Sequence, residues 1–240
     1  MKYLKLVLIV LAVGFAVVVL GILFKKFIGF GPEDFSFKIE TDRPTRDFPV
    51  HENIVVSVFW VGEQADDSNG FISNEASAWD GNWEKHYGGV DDPDNRDGFL
   101  PAGFTPKENP FYFALPYNDF DSKGKRKSEA ADVVYWSKEK DWGERESMCK
   151  NRWIRITKNN SSAYAQWEDV GPFGEEDSDY VFGNTEPGNK RKSEAGLDVS
   201  PAVKDYLGLS DIDKADWQFV RDEDVPDGPW KQIVTTRNGD

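Results

Sequence analysis

The sequence predicts a mainly β domain built as a small barrel, carried behind one apolar span. Three observations carry that reading. Runs of β-branched and aromatic residues recur at 53–61, 111–116, 152–157, 163–169 and 215–220. Only one stretch, 200–208, has a full set of helix start and stop signals. Long segments rich in Gly, Asn, Asp and Pro separate them, which suits a small closed sheet better than alternating βαβ units.

The first element is the run "LVLIVLAVGFAVVVLGILF" at 6–24, which holds no charge and is flanked by Lys2, Lys5, Lys25 and Lys26. As a helix it spans about 28 Å, close to the thickness of a hydrocarbon core. It lacks the small-x-small ending of a cleaved signal, so it is expected to be an uncleaved anchor within residues 1–30. The flanking lysines balance, and the free amino terminus tips the large domain toward the extracytoplasmic side of a single-pass membrane protein.

Residues 31–50 read as a stalk and a first strand, with Phe35, Phe37 and Ile39 alternating. The domain proper is expected over 51–240. It opens on the strand "NIVVSVFWV" (53–61) and a long loop to 110, followed by the strand "FYFALP" (111–116). Residues 121–150 are charged, with a short amphipathic helix expected near 128–137. "RWIRIT" (152–157) and the half-buried strand "AYAQWED" (163–169) form a hairpin across Lys158–Ser161. After a turn-rich stretch to about 195, "GLDVSPAVKDYLGL" (196–209) gives a short strand and a helix. Ser200 is the N-cap, Pro201 takes the first turn and Gly208 stops it. "ADWQFV" (215–220) is the last strand.

Residues 31–240 hold 25 basic against 43 acidic side chains, a net charge of −18. Such a surface excludes nucleic acid and anionic lipid as natural partners. The one cysteine, Cys149, permits no intrachain disulfide. His51 and His86 are far apart in sequence, and no ligand cluster calls for a metal or cofactor. The hexapeptide "KRKSEA" occurs at 125–130 and again at 190–195. A barrel of two related halves would put such copies in equivalent loops; local low complexity is the preferred reading.

"WEDVGPFGEED" (167–177) followed by "GLDVSPAVKDYLGL" resembles the closing part of the double-psi β-barrel in the rare lipoprotein A family. There a strand ends in an Asp before a Gly-Pro-Phe turn, and an Ile-Asp-Leu-Ser strand enters a helix closing on Leu-Gly. The matching residues are Asp169, Gly171, Pro172 and Phe173, then Leu197, Asp198, Val199 and Ser200, then Leu207 and Gly208. "SVFWVGE" (57–63), "SNEASAWD" (73–80) and "FYFALPYND" (111–119) match more loosely. The chain has no His in the third segment, and it carries insertions at 81–110, 121–150 and 175–195. Expansins, family 45 glycoside hydrolases and the membrane-bound lytic transglycosylase A type share this barrel.

The resemblance implies a six-stranded double-psi β-barrel with long loop insertions and a short helix, and a groove for a β-linked glycan, most naturally peptidoglycan. It also implies that Asp169 serves as general acid and then base. A hydrolase needs a second carboxylate. Glu63, Glu75, Asp80 and Asp119 are the candidates, whereas Glu168 should point to the opposite face. Asp198, at a tight strand-to-helix junction, is expected to satisfy local amides. Trp60, Trp79, Tyr117, Trp167 and Phe173 are candidates for sugar stacking, against the plainer expectation that large aromatics fill the core. An expansin-like module that binds glycan without cleaving it, and a structural envelope scaffold, are the alternatives.

Overall fold

The computed structural model describes residues 48–67 and 69–238. The apolar span at 6–24 and the alternating run at 35–39 lie outside the described residues. Among those described, no helix is long and apolar enough to cross a membrane.

Among the described residues eight strands follow in chain order: β1 (His51–Val58), β2 (Arg96–Asp97), β3 (Leu100–Pro101), β4 (Tyr112–Leu115), β5 (Trp153–Lys158), β6 (Ser161–Val170), β7 (Leu197–Val199) and β8 (Ile212–Val220). β2 and β3 pair only with each other, while the other six close into a barrel in the order β1-β7-β4-β6-β5-β8. The β1–β7 and β4–β6 pairs are parallel and the remaining four antiparallel. The domain is therefore mainly β with a closed six-stranded mixed barrel, compatible with the double-psi arrangement.

The pairing hides a symmetry. Exchanging β1, β4 and β5 for β6, β7 and β8 reproduces every neighbour pair with its sense. The register follows: Ser57 pairs with Asp198 as Asp169 pairs with Ala114. The bond from Phe59 N–H to the Val199 carbonyl has its counterpart from Gly171 N–H to Leu115. The two KRKSEA copies do not share this symmetry. One lies in the β4–β5 connection and the other between β6 and β7, and these are not equivalent loops.

Local chemistry explains the element ends. β1 stops at Val58, short of the expected 61, because the chain turns at Trp60 with the Glu63 N–H on the Trp60 carbonyl. The β5–β6 hairpin closes on Asn159 and Asn160, and Asn159 takes the positive φ of 54° that Asn tolerates. The helix Pro201–Leu207 is capped by Ser200 Oγ, which accepts from Val203 N–H at 3.3 Å, and ends at Gly208 with φ of 64°. The helix expected near 128–137 shrinks to Ala130–Val133. Val134 goes extended there, and Trp136 turns into the core with its indole N–H on the Met148 carbonyl.

Of the nine tryptophans, seven are buried and only Trp60 and Trp142 are half-buried, so the aromatic excess is chiefly core. Trp167 stacks on Phe113 at 5.8 Å and Phe182 on Phe219 at 5.8 Å. The insertions take part. Trp83 and Tyr87, from an unanticipated helix Trp83–Tyr87, pack with Phe59, Val61, Tyr112 and Ala114 as a second cluster. Expected to be half-buried, β6 is instead buried on both faces over 163–169. The C-terminal segment covers it: Tyr164 meets Trp230 at 5.1 Å, and Gln166 Oε1 accepts from Thr235 N–H at 2.9 Å.

Candidate functional site

Register builds the site. Ala114 on β4 pairs with Asp169 of β6 on one side and with Asp198 of β7 on the other, and Asp198 pairs with Ser57 of β1. Ser57, Asp198, Ala114 and Asp169 thus form one transverse row across four neighbouring strands. The Cα atoms of Asp169 and Asp198 are two strand spacings apart, roughly 10 Å.

Asp169 joins this row only because β6 skips a register position. Phe113 pairs with Trp167, but the next residue, Ala114, pairs with Asp169, leaving Glu168 unpaired. Strict alternation would send Asp169 into the barrel interior beside Trp167. The bulge turns it to the other face, the common use of a bulge at a strand end. Trp167 keeps its indole N–H on the Asp169 carbonyl at 2.8 Å, which ties the bulge to the core.

The row floors a groove of about 700 Å³. Trp60, Ile72, Phe173 and Ile212 supply apolar walls, and Glu63, Asp94, Lys192 and Lys204 supply charge. Ile72 and Ile212 are exposed. Lys204 is paired with Asp211, while Lys192 donates to the Asp67 carbonyl. Gly171 keeps the floor low, since a Cβ there would stand 3.4 Å from Asp198 Oδ2.

Each aspartate has one occupied oxygen and one facing the groove. Asp169 Oδ1 accepts from Ala78 N–H at 2.7 Å and Val170 N–H at 2.8 Å. Asp198 Oδ1 accepts from the Ser57 hydroxyl. Burial pushes the Asp169 carboxyl up to about 7, against the pull of those two amides. Burial likewise pushes Asp198 up to about 7, with the Ser57 bond opposing and the charges of Glu63 and Asp169 adding to the rise. Glu63 is also raised by burial, and its Oε2 accepts from Asn74 Nδ2 at 2.7 Å.

Among the residues predicted from sequence, Asp169, Glu63, Trp60 and Phe173 line this groove. The others lie outside it. Asp119 is buried, accepting from Ser147 Oγ at 2.7 Å and Met148 N–H at 2.8 Å. Asp80 is buried against His86 Nδ1 at 2.7 Å. Tyr117 and Trp167 are core residues with almost no exposed surface, and Trp79 packs edge-on against Trp167 with its indole N–H on Asn118. Glu168 forms a buried pair with Lys150 away from the groove.

Sequence reasoning expected Asp198 to satisfy local amides; in the structure its Oδ1 accepts from the Ser57 hydroxyl, and it shares the groove row with Asp169 across Ala114. The Ile-Asp-Leu-Ser-like stretch was its one signal, and the cross-strand partner that gives it meaning is β4, far away in sequence. Among the described residues, no group of three or more His, Cys, Asp or Glu is placed to hold a metal ion. No protein-family model matches the chain, and no curated protein matches it.

Proposed function

We propose that the chain is a double-psi β-barrel protein of the cell envelope that cleaves a β-linked glycan, with peptidoglycan the first substrate to test. One observation carries this reading: two carboxyl groups in one open groove, each with a free oxygen and each holding its proton up to about pH 7. Burial is the main cause at both, and the Asp169 charge adds to the rise at Asp198, so in the neutral range the groove can hold one carboxyl protonated with the other ionised. That is the state acid–base cleavage of a glycosidic bond requires.

Asp169 is the more buried of the two and takes the role of proton donor. With Oδ1 occupied by two amides, its proton sits on Oδ2 and is delivered to the glycosidic oxygen. Asp198, half-buried and steadied by Ser57, is the base. It draws a proton from a water molecule or from a sugar hydroxyl that closes on the anomeric carbon. Trp60 and Phe173 offer ring faces to the sugars on the groove walls. The segment 6–24 is kept as a membrane anchor that holds the domain at the envelope.

The test is incubation of the full chain in detergent with purified peptidoglycan and with neutral β-linked oligosaccharides, followed by product mass. Products heavier by water indicate hydrolysis, and anhydro products indicate intramolecular closure. Asp169→Asn is expected to lower the rate by about a hundredfold or more. Full activity in Asp169→Asn would rule out its role, and glycan binding without cleavage by the unaltered chain would favour the expansin-like alternative.

A further inference from the structure

The groove acid Asp169 is held from outside its own strand. One of its two amide donors, Ala78 N–H, belongs to the strap 73–82, which crosses to the groove from the first long insertion. The strap contains no regular element before Asn82, so something must fix the direction of that N–H. The fixing groups converge on Asp80. Its carbonyl accepts from Ser77 N–H at 2.9 Å, and its own N–H donates to Ser77 Oγ at 3.1 Å. These two bonds close a tight loop around Ala78. Its carboxylate is fully buried: Oδ1 accepts from Asn82 N–H at 2.9 Å, and His86 Nδ1 lies 2.9 Å from Oδ1 and 2.7 Å from Oδ2.

We infer that Asp80 is a positioning residue: its buried carboxylate locks the Ser77–Asp80 loop so that Ala78 N–H occupies Oδ1 of Asp169 and leaves the proton on Oδ2, facing the groove. The inference rests on the acid–base reading of the groove and deepens it. It also gives the buried Asp80–His86 pair a purpose that packing alone does not. A buried carboxylate left without its partners is costly, so the pair persists only where the loop around it is held in one geometry.

Other charges face Asp80. Arg237, from the C-terminal segment, has its Nε 4.0 Å from Asp80 Oδ2 and 3.5 Å from Glu108 Oε1. Glu108, Glu168 and Lys150 lie close enough for their ionisation to be coupled to it. Burial and the Glu168 charge push Glu108 up to about 7. The strap is therefore bound to β6 from both sides, through Asp169 in the groove and through this charged cluster behind it.

The experiment reads Asp169 without any glycan. The side-chain carboxyl carbon of Asp169 is followed by NMR across a pH titration of the full chain in detergent, its signal identified by its loss in Asp169→Asn. In Asp80→Asn the Ala78 amide is released, and the Asp169 midpoint is expected to rise by roughly one to two pH units, the scale of one lost charge-assisted hydrogen bond. Asp119→Asn is the matched control. It disturbs an equally buried aspartate away from the groove, and should lower the melting temperature without moving the Asp169 midpoint. A folded Asp80→Asn with the midpoint unmoved overturns the inference. Should Asp80→Asn fail to fold, His86→Gln takes its place, because His86 is partly exposed and its loss only loosens the pair. A smaller upward move there supports the inference, and none overturns it. Because no substrate is present, a chain that cleaves no glycan leaves this result intact, and the two readings fail separately.

Discussion

At Asp169 and Asp198 the folded chain keeps protons that the unfolded chain has already released. Both carboxyls are raised from 3.8 to about 7. Between those values the folded state binds more protons, so its stability falls as pH rises through the window, by up to about 1.4 kcal/mol per pH unit for each group. Glu63 and Glu108, also raised, add to the same slope. The melting temperature is therefore expected to drop between pH 5 and pH 8. Asp198→Asn should flatten that drop, because the amide mimics the protonated acid. Calorimetry at several pH values checks this, and an unchanged slope would show that Asp198 ionises freely. On the acid side the sign reverses. His51, stacked on Trp217 at 3.9 Å, is lowered by burial to about 4. Its contribution is complete above pH 6.5 and is lost as pH falls toward 4.

At the scale of elements, the junction from β7 into the helix Pro201–Leu207 carries one test. Ser200 Oγ accepts from Val203 N–H and from Tyr112 N–H, each at 3.3 Å, so a single hydroxyl caps the helix and ties it to β4. Ser200→Ala should cost about 1 to 2 kcal/mol, read as a shift of the denaturation midpoint with an unchanged slope. This cap was legible in the sequence, since Ser followed by Pro and a later Gly is a local signal. So were the barrel strands, because β-branched and aromatic runs need no partner to be recognised. The bulge at Glu168 was not. It has no glycine or turn residue to mark it, and it exists only in the pairing of β6 with β4. Without it, alternation assigns Asp169 to the wrong face. Asp198 was read locally as a residue before a helix, and only its pairing with Ala114, itself paired with Asp169, sets it in the same row. The plainer expectation that large aromatics fill the core is met by Trp79, Tyr117 and Trp167, although the insertions that help cover them show no periodicity.

For the whole molecule, the interleaving of the two halves has an energetic corollary. Neither β1, β4, β5 nor β6, β7, β8 forms a sheet alone. Within the first set no parallel or antiparallel neighbour exists, and in the second none does either, since every bond of the barrel runs between sets. A chain cut after residue 160, which keeps β1, β4 and β5 without β6, β7 and β8, should therefore retain no protected sheet. Limited proteolysis of that fragment is expected to digest it throughout, and a resistant core spanning β4 and β5 would contradict the expectation.

The same pairing dictates an order of events during synthesis. β1 emerges among the first parts of the domain, yet both its neighbours, β7 and β8, are among the last. Its run Ile54-Val55-Val56 has open hydrogen-bonding edges on both sides until residue 220 is available. Such a segment is an aggregation hazard while it waits. The chain must close loops of well over a hundred residues before β1 gains anything, which places its folding among the slow, high-contact-order β proteins. Any cell that makes this protein has to shelter that strand for the time needed to translate some 160 further residues, and a holding chaperone or a translocation channel would do so by keeping β1 extended and unpaired.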